Sequence, residues 1–165
     1  LLLKSPFDLF ARMVEKGWRY GYRSMSDDAA PSPAMDAARA ALEAQHPEAK
    51  LALDQTLLAP FVQQLSDAAG LSHSAYNGKY YYNNFEVAHV PTFRDSALHW
   101  AFFLECDRRH AFFIGPTRKN GVGDADFRSL AVPYLLKSQP QSQVHDFQEV
   151  GYMHPVPWDA RYWAP

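Results

Sequence analysis

The chain has 165 residues, a formal net charge of −2 and no block of Lys and Arg. This excludes recognition of nucleic acid through a basic stripe, because such proteins concentrate positive charge on one surface. The single cysteine, Cys106, cannot close an internal disulfide, and the sequence has no Cys/His cluster typical of structural zinc. No apolar run approaches the roughly 20 residues of a membrane span.

The first elements are a strand, a helix and a second strand. Residues 1–3 are apolar and predict a buried strand that begins partway, so we expect further residues upstream. Ser5 is the predicted cap of a helix that ends at Gly17. Residues 18–22 predict an aromatic strand. The helix would bury an apolar face made of Phe7, Phe10, Met13 and Val14.

The middle of the chain predicts two helices, a loop and one or two strands. Ser32 caps an alanine-rich helix to about Gln45, which we expect at the surface. Residues 51–65 look helical, residues 70–78 read as a loop, and residues 79–90 predict strands split around an Asn-Asn pair.

The last part alternates helices and strands in the same way. A helix opens at Thr92 or Asp95, and Asp124 is the predicted cap of another that contains Pro133. Short strands are expected at 112–114 and 144–147, a flexible loop at 115–123, and an extended tail from 151. The alternation predicts an α/β fold.

Glu86 is the first candidate for chemistry. It follows a polar pair within an apolar, strand-like stretch, where a carboxylate can act as a nucleophile or as an electrostatic stabiliser at an anomeric carbon. The alternative is a strand-end carboxylate that faces solvent or pairs with Arg94. The residues alone favour this second reading.

Two further candidates lie at a helix start and in the tail. Asp124 follows glycines at the start of a helix, where a carboxylate can reach a cleft or simply cap the helix. His154 follows Gly-Tyr in an irregular segment, where a neutral imidazole can bind a divalent metal or serve as an ordinary loop residue.

Several short segments, taken in order, resemble the fungal-type α-1,2-mannosyltransferases of glycosyltransferase family fifteen. The match is patchy near the start and more continuous from residue 80 to 155. In the first part of the chain, residues 7–13 resemble the family's Y-D-x-F-R-x-M segment and residues 20–22 its Y-G-F segment. Residues 82–87 resemble W-S-N-F-E-I, and residues 93–97 resemble F-R-S-E-A. Residues 123–131 resemble W-G-D-A-P-V-H-S-I-A, and residues 149–155 resemble D-I-G-Y-x-H-P.

The resemblance implies the C-terminal portion of a GT-A-type fold, with residues 1–165 forming part of one catalytic domain whose nucleotide-binding part lies upstream. It also implies retaining transfer from GDP-mannose with Mn²⁺. Glu86 matches the glutamate proposed as catalytic nucleophile, and His154 matches a histidine that helps hold the metal. The residues expected to bind substrate are Asp124, Tyr82, Asn84 and Arg128.

Some positions depart from the family pattern. The metal-binding E-P-D segment would precede Leu1 and is not in this chain, and Arg128 stands where the family has His. A metal held by His154 alone would be weak, because such sites also use carboxylate oxygens.

The implied partners are a nucleotide sugar and a glycan acceptor. The resemblance places the protein in the Golgi lumen as a type II membrane protein, with any anchor upstream of Leu1. A transferase of another sugar, a non-catalytic carbohydrate-binding relative and a plain α/β interaction domain remain alternatives.

Overall fold

The computed structural model describes residues 2–27, 32–112, 123–136 and 143–153. The helices in these ranges are α1 Leu9–Lys16, α2 Pro33–Gln45, α3 Pro47–Ala52, α4 Gln55–Leu58, α5 Val90–Arg94, α6 Ala97–Arg108 and α7 Asp124–Leu135, with a 3₁₀ turn at Ala59–Phe61. The strands are β1 Leu2–Lys4, β2 Tyr20–Tyr22, β3 Met25–Ser26, β4 Val62–Ser66, β5 Ser72–Tyr76, β6 Tyr80–Tyr81, β7 Glu86–Ala88, β8 Val144–Asp146 and β9 Gly151–Met153.

Strand β2 is the centre of a mixed three-stranded sheet. It pairs antiparallel with β7 and parallel with β8. A parallel pair requires a long crossover, and the chain between β2 and β8 contains helices α2 to α7. Smaller pairs join β1 to β9, β3 to β6 and β4 to β5. The predicted α/β class is therefore confirmed.

The larger hydrophobic core lies between α2, α4, α6 and α7 on one side of β2. Met35, Ala38 and Leu42 of α2 are fully buried in it. The expectation that α2 lies at the surface is therefore wrong, although its start at Ser32 and its end at Gln45 are confirmed. Helix α2 is buried on this side because Met35, Ala38 and Leu42 are spaced three and four positions apart and therefore form one stripe on the helix. This stripe packs against α6.

A smaller core lies on the opposite side of the β2–β7 pair. It consists of Leu9, Met13, Phe85, Val87, Phe147 and Val150. Helix α1 contributes Leu9 and Met13, whereas Phe10 and Val14 are 73% and 81% exposed. The predicted apolar face of α1 is therefore wrong for Phe10 and Val14, because the core contacts the neighbouring stripe of the helix.

Helix α1 also begins later than expected. Asp8, rather than Ser5, is its N-cap, and the carboxylate accepts the N–H groups of Phe10 and Ala11. An aspartate at this position satisfies two of the donors that a helix start leaves unpaired. Gly17, with φ 71°, ends the helix as predicted.

The segment from 51 to 78 differs most from expectation. Helices α3 and α4 are followed by a hairpin of β4 and β5, where a helix and then a loop were predicted. The Asp67 carboxylate closes the turn by accepting the N–H groups of Ala69 and Leu71. This side-chain turn stabilises a hairpin in which β4 is mostly exposed and only the end of β5, at Ala75 and Tyr76, is buried, so the two strands carry little hydrophobic pattern.

Other boundaries shift by a few residues. Helix α5 starts at Val90 with Pro91 in its first turn, and Ser96 caps α6. Gly123, not Asp124, is the N-cap of α7, which does contain Pro133. The strands predicted around Asn83-Asn84 and near 144 are confirmed. The strand expected at 112–114 and the loop at 115–123 lie mostly outside the described residues, as does the tail beyond 153.

Within the described ranges, no helix combines the length and apolar character needed to cross a bilayer.

We predict that Gly21→Ala lowers the free energy of unfolding. An added Cβ would lie 2.2 Å from Cε2 of Phe147, which is fully buried, and overpacking of this kind costs about 1–3 kcal/mol. Urea unfolding measures the loss. The double variant Gly21→Ala/Phe147→Leu should lose less free energy of unfolding than the two single variants lose in sum, because the smaller leucine leaves room for the added Cβ. A Gly21→Ala variant as stable as the wild type would contradict the close packing at this position.

Candidate active site

The Glu86 carboxylate is held by contacts from a strand and a helix. Tyr20 and Glu86 are diagonal neighbours on one face of the β2–β7 pair, since Tyr20 lies opposite Ala88 and Tyr22 opposite Glu86. The Tyr20 hydroxyl donates to Glu86 Oε2 over 3.0 Å. Burial and the adjacent carboxylate raise the pKa of Tyr20, so its hydroxyl remains a donor.

Arg128 contacts Glu86 from helix α7. Its Nη2 lies 3.4 Å from Glu86 Oε1, and its Cζ lies 4.7 Å from the centre of the Phe93 ring. About a quarter of each charged side chain is exposed. Arg94, the partner considered from the sequence, pairs with Asp95 instead. A guanidinium has five N–H donors, and because that of Arg128 is partly exposed it can bind a ligand in addition to Glu86.

The start of α7 is fixed by a network around Gly123. The Asp126 carboxylate accepts the Gly123 N–H over 2.8 Å and the hydroxyl proton of Tyr76. Next to it, the exposed Asp124 carboxylate accepts from Asn83 Nδ2 over 2.7 Å. The turn between β6 and β7 is thereby joined to the first turn of α7, which places Asp124 and Glu86 on connected elements.

Two adjoining cavities lie beside these residues. The first has a volume of about 400 Å³ and the second about 540 Å³, within the roughly 300–1,000 Å³ of small-molecule sites. Glu86, Ala88, Val90, Phe93 and Arg94 line only the first, and Phe103, Asp107, Phe112, Asp124 and Phe127 line only the second. Both are lined by His99, Trp100 and Arg128. We call the two cavities together the groove.

His99 lies where the cavities meet, and no sequence pattern pointed to it. Its ring contacts the rings of Phe93, Trp100 and Phe127 at centroid distances of 5.5–5.8 Å. Both ring nitrogens are buried and have no hydrogen-bond partner among the described residues. A buried unpaired polar group costs about 1–3 kcal/mol. Burial, and then the charge of Arg128, lower the pKa of His99 to about 4.

The structure brings only some of the predicted site residues together. Glu86, Asp124 and Arg128 line the groove. Tyr82 and Asn84 lie in the β6–β7 turn and line neither cavity. In the same turn, Asn83 donates a hydrogen bond to Asp124. The backbone carbonyl of Asn84 accepts a hydrogen bond from the Tyr152 hydroxyl. His154 lies outside the described residues. The roles of these residues stay predictions.

Metal ligands are not assembled in the part of the chain that the structure describes. No group of three or more His, Cys, Asp or Glu side chains there is arranged to hold an ion. Cys106 is buried with a free thiol, whose pKa burial raises to about 12, so it is not a ready thiolate ligand.

Known proteins resemble the chain in sequence, although no model of a protein family matches it. The O-glycoside α-1,2-mannosyltransferase homolog 3 of Schizosaccharomyces pombe is 31% identical over 154 residues, which are 93% of this chain and 36% of that protein. The α-1,2 mannosyltransferase KTR1 of Saccharomyces cerevisiae is 30% identical over 150 residues, 90% of this chain and 33% of that protein. The chain thus spans about a third of the length of these relatives.

The fold is also found in a solved structure. Core-mannan synthase A (CmsA/Ktr4) from Aspergillus fumigatus, in its Mn/GDP form, superposes with a TM-score of 0.66 and 23% sequence identity. The alignment covers 90% of this chain and 37% of that one. The predicted α/β fold is therefore shared with this solved structure over most of the chain.

We predict that His99→Phe changes how stability depends on pH. The unfolded chain takes up a proton at His99 near pH 6.5, but the folded state does so only near pH 4. Between these values the unfolded state binds more protons, so this histidine lowers the free energy of unfolding as pH falls; above 6.5 it has no such effect. The variant should gain stability relative to the wild type from pH 6.5 to 4, as measured by urea unfolding. Parallel pH profiles would contradict the assigned neutral histidine.

Proposed function

Because the chain is homologous to fungal α-1,2-mannosyltransferases of glycosyltransferase family fifteen over at least 90% of its length, we propose that the protein transfers mannose from GDP-mannose to a glycan or glycoprotein acceptor. The product is an α-1,2 linkage, with the configuration of the donor retained. The observation that carries the proposal is the Glu86 carboxylate at the groove, oriented by Tyr20 and Arg128.

Glu86 acts at the anomeric carbon of the donor sugar. Tyr20 restrains one carboxylate oxygen, while the side chain remains partly exposed beside the first cavity. A carboxylate so placed either attacks, giving a covalent glycosyl-enzyme, or stabilises oxocarbenium character as the acceptor enters. Because the Tyr20 hydroxyl already holds the carboxylate in place, less reorganisation is needed for either step.

Arg128, beside Glu86, and Asp124, in the second cavity, contribute substrate contacts. The guanidinium of Arg128 has N–H donors that suit oxygen atoms of the donor. The exposed carboxylate of Asp124 accepts hydrogen bonds from sugar hydroxyls, as acidic side chains do when ionised. Tyr82 and Asn84 are proposed to bind substrate from the β6–β7 turn.

Mn²⁺ is the proposed cofactor, in keeping with the Mn/GDP form of the similar synthase. The described residues do not by themselves provide a metal site, so we assign ligands outside them, His154 included. When bound, such an ion supplies charge neutralisation for a diphosphate leaving group.

The compartment of the protein is also a proposal, supported by the names of its relatives. We propose a glycosylation compartment, and specifically the Golgi lumen, with a membrane anchor upstream of Leu1. The alternatives are a transferase of another nucleotide sugar and a carbohydrate-binding relative without turnover. A panel of sugar nucleotides separates them, because only a mannosyltransferase releases GDP from GDP-mannose in preference to other donors.

We predict that Glu86→Gln in the complete protein lowers mannose transfer by about 100-fold or more, since the amide neither attacks nor carries negative charge. The assay follows labelled mannose from GDP-mannose to methyl α-mannoside. Glu15→Gln, an exposed carboxylate on α1, is the matched control and should keep full activity. Thermal unfolding confirms that both variants fold. Near-normal transfer by folded Glu86→Gln would refute the assignment.

We predict that His154→Ala raises the Mn²⁺ concentration needed for half-maximal transfer, because the ion loses an imidazole ligand. The measurement is a metal titration of transfer at saturating GDP-mannose. His73→Ala, which alters an exposed histidine on β5, serves as control. An unchanged titration for His154→Ala would remove this residue from the metal site.

A further inference from the structure

The ring of His99 has a geometry that the proposed transfer steps do not use. It lines both cavities of the groove, between the end that holds Glu86 and the end that holds Asp124. Neither ring nitrogen has a hydrogen-bond partner among the described residues. The ring therefore has one donor and one acceptor left to satisfy beside an open site.

A purely structural role does not account for this ring. The imidazole does not cap helix α6, since the backbone N–H of His99 donates to Ser96 Oγ at the start of that helix. The imidazole contacts aromatic rings. A phenyl group would make the same contacts without two unpaired nitrogens, and such a replacement is usually neutral or stabilising. What distinguishes histidine here is its hydrogen-bonding capacity.

The chemistry around the ring matches a neutral sugar. A hydroxyl group both donates and accepts, as a neutral imidazole does. Trp100, the next residue, is 49% exposed, and its Nε1 donates to the Arg94 carbonyl over 2.9 Å, which fixes the ring plane. Aromatic faces pack well on the C–H faces of sugars. The second cavity is lined by two carboxylates, Asp107 and Asp124, and by one guanidinium, Arg128, and this balance disfavours an anionic group such as a phosphate.

We propose that His99 is a specificity-determining residue, which hydrogen-bonds a hydroxyl group of the acceptor sugar while the Trp100 ring packs against the same sugar. The proposal rests on the proposed mannosyl transfer and names the acceptor subsite of that groove. A rotation about the last side-chain bond, where histidine has broad minima, turns a nitrogen into the groove without moving α6. The donor sugar is assigned to the Glu86 end.

The first experiment separates binding from folding in the complete protein. His99→Phe removes both nitrogens, and His99→Asn keeps a donor and an acceptor. His73→Phe is a matched control at an exposed position of β5. At pH 7.5, His99→Phe should keep or raise the wild-type melting temperature without ligand. His99→Phe should also raise the KM for methyl α-mannoside about 10-fold and leave the KM for GDP-mannose unchanged. In His99→Asn, the KM for methyl α-mannoside should lie between those of the wild type and His99→Phe.

The second experiment identifies the hydroxyl. Wild type and His99→Phe are compared on the 3-, 4- and 6-deoxy forms of methyl α-mannoside. One deoxy acceptor should be about 10-fold poorer for the wild type and equally good for His99→Phe, because the variant has already lost that hydrogen bond. Deoxy effects that are identical in both proteins would overturn the proposal.

The outcomes distinguish this inference from the transfer reaction itself. If the wild type transfers mannose but His99→Phe shows an unchanged acceptor KM, or a raised KM only for GDP-mannose, the acceptor assignment is wrong while the function stands. If the wild type transfers no mannose, the proposed function fails. Saturation-transfer NMR with methyl α-mannoside then decides the subsite: weaker contact in His99→Phe supports it, and equal or absent contact in both proteins overturns it.

Discussion

The alternation of side chains along strand β2 positions both cores and the groove. Tyr20 and Tyr22 face the larger core, and the Tyr20 hydroxyl continues to Glu86. Gly21 faces the other way, against the ring of Phe147, where a Cβ does not fit. Because successive residues of a strand point to opposite faces, a register shift of one residue would put a tyrosine against Phe147 and remove the donor from the carboxylate.

The Glu86 carboxylate links this sheet to helix α7. Arg128 reaches it from the second turn of that helix, and the start of the helix is held by Asp126 and by the Asn83–Asp124 contact. Strand and helix are therefore joined at two points around one groove. The orientation of this carboxylate is set before any ligand arrives, which is what the step proposed for Glu86 requires.

His99 shows the opposite arrangement in the same groove. Aromatic rings pack around the His99 ring, but neither ring nitrogen has a hydrogen-bond partner among the described residues. Burial lowers the pKa of His99 to about 4. Proteins commonly accept local instability of this kind at functional sites. The groove therefore combines a restrained carboxylate, a cation beside it and an unpaired neutral ring, the three groups on which the proposed transfer and the proposed acceptor contact depend.

The sequence alone determined the α/β class, the cap of α2 at Ser32, the end of α1 at Gly17 and the family resemblance around Glu86 and Asp124. These signals act within a few residues of one another, so they are readable in one dimension. Only the tertiary structure decided that Glu86 pairs with Arg128 rather than with Arg94, that one face of α2 is buried, and that His99 lines the groove. Those outcomes depend on which faces of distant segments pack together, and no local pattern specifies which faces meet. Tyr20 and Glu86, for example, are 66 positions apart in the sequence.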